Sequence, residues 1–150
     1  MTKIEFINAK DFREEALKLH ISENQKGTIE TVEECLNEAD ELELWRPILI
    51  SIDNVYVGFA MFGLWIYEGD HGRLWLDRFF IDEHHQSKGL AKLVLPILLE
   101  KLYKDYAVDE IFLSVYETNE LAIHLYEKLG FKFNGELDIN NERVMVKSRS

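Results

Sequence analysis

No part of the sequence narrows the fold more than residues 74–106. Leu74-Trp-Leu-Asp-Arg-Phe-Phe-Ile81 reads as a strand, and an apolar helix begins near Lys88 after a short polar stretch. A strand that passes into a helix within a few residues belongs to an α/β sheet rather than to a bundle or a sandwich. The neighbouring segments extend that pattern. Ile4 to Ile7 reads as a first strand, and Asn8 can cap a helix with Phe12, Ala16 and Leu19 at helical spacing. A second helix falls within Thr28 to Leu42, where Thr31-Val-Glu-Glu34 has capping-box form. Strands Pro47 to Ile52 and Val55 to Tyr67 flank the turn Asp53-Asn54. After the long helix to Tyr106 come strand Ile111 to Tyr116 and a helix from Asn119 to Leu129, stopped by Gly130. Strands Phe131 to Leu137 and Val144 to Lys147 close the chain around Asn140-Asn141. The order β-α-α-β-β-β-α-β-α-β-β predicts a three-layer mixed α/β sheet, with residues 1–150 as one domain. Pro96 lies inside the long helix and predicts a local kink there.

The charge balance removes several functions. Seventeen Lys and Arg against 28 Asp and Glu give a net charge of −11. That is the wrong sign for a nucleic-acid partner and suits a cationic ligand. No apolar run is long enough to span a bilayer, so no membrane partner is expected. The single Cys35 fits a reducing cytoplasm and reads as a core residue. His71, His84 and His85 flank a turn without a cysteine nearby, so no metal is expected.

The polar stretch Gln86-Ser-Lys-Gly-Leu-Ala91 stands at the start of the long helix. A helix start offers amides without intrahelical partners and the positive end of the dipole. Gly89 removes the Cβ that would keep a ligand off the backbone, and Lys88 can add a charged contact. Backbone amides can thus bind a phosphate while the wider surface stays acidic. A plain strand–turn–helix junction would have the same spacing. Neither a Gly-x-x-x-x-Gly-Lys-Ser/Thr loop nor a Gly-x-Gly-x-x-Gly fingerprint is present.

Gln86-x-x-Gly89-x-Ala91 after a strand resembles motif A of the GNAT superfamily of acetyl-CoA-dependent N-acetyltransferases. Asn119-Glu-Leu-Ala-Ile-His-Leu-Tyr126, followed by Gly130-Phe131, resembles the superfamily's second signature. Within the superfamily, Trp75 to Asp82 and Phe133 to Asp138 resemble bacterial spermine/spermidine (diamine) N-acetyltransferases. The likeness covers nearly the whole chain. It implies a GNAT-type sheet with splayed central strands, and acetyl-CoA lying between Leu74–Ile81 and Ile111–Tyr116. Backbone groups of Phe79, Phe80 and Ile81 would pair with the pantetheine arm. Amides of Ser87, Lys88, Gly89, Leu90 and Ala91 would hold the pyrophosphate, with Gln86, Asn119 and Lys128 also on the cofactor. Ala91 departs from the more common glycine. The resemblance also admits a homodimer, though no residue identifies an interface.

Asn119, Ala122 and Tyr126 fall at i, i+3 and i+7, on one helical face. The resemblance makes Tyr126 the general acid for the leaving thiolate, which a phenol can serve. Asp77 interrupts an apolar aromatic strand and is the candidate for proton removal, against a plain pairing with a structural cation. By alternation it shares a face with Trp75 and Phe79, and Arg78 points away. Glu34, Glu38 and Glu41 share a helical face; Glu23, Glu34, Glu41, Asp77 and Asp138 are the candidates for binding ammonium groups, against a merely solvated charged face. The expected activity is acetyl transfer from acetyl-CoA to a primary amine of spermine, spermidine or a related diamine. The alternatives are another amine (amino acid, aminoglycoside or protein N-terminus) or a non-catalytic acyl-CoA-binding domain.

Overall fold

The computed structural model describes residues 3–19, 31–42, 44–68, 72–85, 89–138 and 141–149. Among them the order is β1 (Ile4–Asn8), α1 (Arg13–Leu17), α2 (Val32–Glu41), β2 (Arg46–Ile52), β3 (Val55–Trp65), β4 (Arg73–Ile81), α3 (Leu90–Tyr106), β5 (Glu110–Val115), α4 (Glu120–Lys128), β6 (Lys132–Leu137) and β7 (Arg143–Ser148). The order of elements is the one the sequence predicts. The seven strands form one mixed sheet ordered β1-β2-β3-β4-β5-β7-β6. The chain divides into two compact units, Met1–Gly63 with Asp77–Val94, and Leu64–Leu76 with Leu95–Ser150. β3, β4 and α3 each begin in one unit and end in the other.

In the first unit β1, β2 and β3 form an antiparallel meander. Asp53 and Asn54 both take positive φ (50° and 70°), the geometry that matches a two-residue hairpin to the strand twist. Residues 47–51 and 57–63 are buried without interruption, as befits strands covered on both faces. α2 covers part of this sheet through Val32, Cys35, Leu36 and Ala39, an i, i+3, i+4, i+7 stripe. Its capping box is complete. Thr31 Oγ1 accepts from Glu34 N–H at 3.1 Å, and the Glu34 carboxylate accepts from Thr31 N–H at 3.2 Å.

Asn8 does cap a helical segment, its Oδ1 accepting from Lys10 N–H at 2.9 Å. That segment opens as a 3₁₀ turn, Ala9–Phe12, before the short α1, so the regular helix expected to reach Leu19 stops at Leu17. β3 likewise ends at Trp65; a turn closed by Glu68 N–H on Trp65 C=O leaves Ile66 and Tyr67 exposed.

In the second unit β5 pairs parallel with β4 (Leu74–Ile111, Trp75–Phe112) and antiparallel with β7, which carries β6. α3 supplies Leu95, Leu98, Leu99, Leu102 and Tyr103 to the core, and the Tyr103 hydroxyl donates to Lys147 C=O at 2.7 Å. The helix continues through Pro96, which faces solvent. There a missing amide is least damaging, because water can serve the carbonyl left over.

Candidate active site

In the first unit the candidate proton acceptor and the cofactor candidates lie at the end of β4 and the start of α3, and Glu34 and Glu41 lie on α2. Phe80 and Ile81 are buried, and Asp77 and Phe79 half-buried. Two features outside the expected set fix this strand end. Gly58 lies so close to β4 that a Cβ there would stand 2.6 Å from Phe80 O. A bulge between the Ile50–Gly58 and Ser51–Tyr56 pairs leaves Val57 as the extra residue. Val57 C=O accepts from Asp82 N–H at 2.7 Å, and the buried Asp82 carboxylate accepts from His84 N–H at 2.8 Å. A glycine inside an apolar strand signals a close backbone approach. The sequence could have flagged Gly58 on that ground, but not named its partner.

Alternation puts Arg78 on the face away from Asp77, yet its guanidinium turns back. Arg78 Nη1 donates to Asp77 C=O at 2.6 Å and stands 3.5 Å from Asp77 Oδ2. The long arginine stem can reach round the strand, so backbone direction alone does not decide where its charge sits. Asp77 thus has an ionic neighbour within the strand itself.

α3 starts with Gly89 in the left-handed region (φ +70°), where other residues are strained. Among the described residues beyond its chain neighbours, no atom lies within 4 Å of the place a Cβ at Gly89 would take. The first intrahelical bond runs from Leu93 N–H to Gly89 C=O, so the amides of Leu90, Ala91 and Lys92 precede the helical ladder. An open approach to these amides suits the anionic end of a coenzyme. Gln86, Ser87, Lys88 and Glu23 lie outside the described residues, as does His71. Among the described residues no His, Cys, Asp and Glu cluster could hold a metal ion.

The second unit carries Asn119, Tyr126, Lys128 and Asp138. Asn119 caps α4, its Oδ1 accepting from Ala122 N–H at 3.4 Å. The other end of α4 closes as a Schellman motif. Gly130 N–H donates to Glu127 C=O at 3.1 Å, Phe131 N–H donates to Tyr126 C=O at 3.0 Å, and Gly130 takes φ +105°. Tyr126 therefore occupies the helix position that this cap holds. Its ring meets Phe131 edge-on, with centroids 5.6 Å apart. Part of the residue reaches the surface, but loss of water around the hydroxyl pushes its pKa up to about 12. Lys128 is exposed in the last turn of α4, where a cation also complements the helix dipole.

Several candidate carboxylates have structural work. Asp138 Oδ1 accepts from Glu142 N–H at 2.9 Å, closing the β6–β7 connection. Glu34 is held by its capping box, whereas Glu41 is exposed at the end of α2. An unexpected cluster surrounds β4 in the second unit. Arg73 forms a two-pronged pair with Glu136 (2.8 and 3.0 Å) and stacks on Phe112, and Trp75 Nε1–H donates to Glu68 at 2.6 Å. The Arg73 hydrogen bonds hold the Glu136 carboxyl below its ordinary range. No signal in the sequence links Arg73 with a residue 63 positions away.

Comparison with known proteins agrees with this fold. The family described as "Acetyltransferase (GNAT) family" matches residues 9–131. The chain belongs to that family. It is 48% identical over 140 residues to the "Spermine/spermidine N(1)-acetyltransferase" of Bacillus subtilis (strain 168), covering 91% of this chain and 92% of that protein. Among solved structures, an aminoglycoside acetyltransferase, AAC(6')-Ib, in complex with coenzyme A superposes with a TM-score of 0.74 at 20% identity, covering 99% and 95% of the two chains. The ribosomal-protein-S18-alanine N-acetyltransferase of Escherichia coli gives a TM-score of 0.69 at 20% identity, covering 100% and 95%. Among the described residues, no helix is long and apolar enough to cross a membrane.

Proposed function

We propose that the protein transfers an acetyl group from acetyl-CoA to a primary amine of spermine, spermidine or a related diamine. The observation that carries the substrate class is the 48% identity, over 91% of the chain, with a relative named for spermine and spermidine. The solved aminoglycoside and ribosomal-protein-S18-alanine enzymes share the fold at 20% identity, so their amines have weaker support. A net charge of −11 also favours a polycation over nucleic acid. The one cysteine, buried on α2, suits work in a reducing cytoplasm.

The bound coenzyme supplies an activated acetyl thioester; everything else falls to the chain. Gly89 and the amides of Leu90 and Ala91 receive the pyrophosphate, together with Gln86, Ser87 and Lys88. Backbone groups of Phe79, Phe80 and Ile81 align the pantetheine arm, and Asn119 and Lys128 complete the cofactor contacts. An alkyl ammonium near the lysine reference value of about 10.4 costs roughly 4–5 kcal/mol to deprotonate at pH 7. Asp77 accepts that proton, and the neutral amine attacks. Glu23, Glu34, Glu41 and Asp138 offer carboxylates to the remaining ammonium groups of the substrate. Tyr126 donates to the departing sulfur. With a pKa of about 12 the phenol is protonated at any physiological pH, as a donor must be. Complete transfer to a thiolate of ordinary pKa near 8.5 runs uphill, so Tyr126 acts chiefly through its hydrogen bond while the sulfur gathers charge.

A thiol-release assay with acetyl-CoA and a panel of amines tests the activity. Turnover on spermine or spermidine above that on amino acids, aminoglycosides and N-terminal peptides is expected. Turnover confined to the latter amines would replace the substrate class, and coenzyme binding without any turnover would indicate an acyl-CoA sensor. In the same assay Tyr126→Phe should lower kcat by about 100-fold or more while the acetyl-CoA Kd, by calorimetry, changes little.

A further inference from the structure

Tyr126 and Phe131 are joined twice. Phe131 N–H donates to Tyr126 C=O, and the two rings meet at 67° with centroids 5.6 Å apart. The partners differ in how firmly they are held. Phe131 is 1% exposed and fixed in the core of the second unit. Tyr126 sits on α4, none of whose residues is fully buried. Among the described residues no hydrogen bond reaches the Tyr126 hydroxyl, so packing of the ring, rather than a polar tether, sets its direction.

We propose that Phe131 is a positioning residue for acetyl transfer: its buried ring sets the direction in which the Tyr126 phenol points. This rests on the reading of Tyr126 as the acid. An edge-to-face pair favours one approach of the rings over others, so the contact restricts rotation in a way that apolar volume alone would not. The backbone bond fixes the base of the same side chain. Both depend on Gly130. Its φ of +105° brings Phe131 back over the last turn of α4, and a Cβ there would stand 3.1 Å from Lys147 Nζ. The Gly130-Phe131 pair is then a mount for the acid as well as a helix stop.

A double-mutant cycle on the full chain tests this, using Tyr126→Phe, Phe131→Leu and the double variant with acetyl-CoA and spermidine. Phe131→Leu should lower kcat about tenfold with both KM values within about twofold. In the Tyr126→Phe background it should change kcat less than about twofold, because no phenol remains to direct. Phe131→Met, which refills the volume without a ring, should follow Phe131→Leu and serves if that variant fails to fold. Equal losses in both backgrounds would reduce Phe131 to a core residue and overturn the proposal, as would no loss in either. Full kcat in Tyr126→Phe would overturn the acid role itself, a result distinct from a failure of Phe131 alone.

Discussion

A tyrosine hydroxyl raised by burial is a stability element, whatever part it takes in catalysis. Tyr126 is pushed from 10 up to about 12 because its ionised form would lose water. Above pH 10 the unfolded chain releases this proton while the folded chain keeps it. The unfolded state then binds fewer protons, and stability falls as pH rises. The contribution is complete below pH 10 and gone above about 12. Two pH units at about 1.4 kcal/mol each bound it near 3 kcal/mol. Tyr103 is raised to about 12 chiefly by the same cause and adds to the slope. Urea unfolding at about pH 8, 9.5 and 11 should therefore give a steeper alkaline loss for wild type than for Tyr126→Phe. Parallel curves would mean that the hydroxyl is well hydrated after all. Asp77 makes the opposite point about residues. Its type and place in an apolar strand were legible from sequence, but the returning Arg78 guanidinium was not. A side chain with four rotatable bonds is not bound by the period of two that governs Cβ atoms.

At the scale of elements, local chemistry was the readable part. The Thr31–Glu34 capping box, the Asp53-Asn54 turn and the Gly130 stop each rest on partners within five residues, and each took its expected place. Thr31→Ala removes the hydroxyl that serves Glu34 N–H and should destabilise by about 1 kcal/mol in urea unfolding. The features at the end of β4 were not readable, because they join segments distant in sequence. Gly58 and Phe80 stand 22 positions apart, and the Val57 bulge acquires meaning only when its carbonyl meets Asp82. Gly58→Ala puts a methyl group 2.6 Å from a backbone oxygen, and backbone cannot swing aside as a flexible side chain can. Overpacking of this kind costs about 1–3 kcal/mol. The displaced strand end is the one proposed to align pantetheine. KM for acetyl-CoA should therefore rise severalfold in Gly58→Ala, with KM for spermidine nearly unchanged. Equal rises in both would point to general loosening of the unit instead.

Across the whole molecule the unusual quantity is charge: −11 on 150 residues, in a protein whose two proposed substrates carry opposite signs. The long-range field attracts a polyamine and repels a coenzyme phosphate. Coenzyme binding must therefore come from short-range groups, of which the amides before Leu93 are the proposed example. Salt separates the two contributions. At an ionic strength of about 0.1 M the Debye length is about 10 Å, so added salt weakens the distant field and spares contacts at hydrogen-bond range. Between about 20 and 300 mM NaCl, kcat/KM for spermine should fall about tenfold, with a smaller fall for spermidine and little change for a monoamine of similar length. KM for acetyl-CoA should stay level or drop, since screening relieves its repulsion. A spermine rate indifferent to salt would confine recognition to a few close carboxylates and leave the acidic surface with solubility alone. The same fall for the monoamine would identify salt inhibition of the reaction itself. The ordering spermine, spermidine, monoamine is the part that neither alternative reproduces, because it follows from the number of charges on the ligand acting against the field of the entire chain.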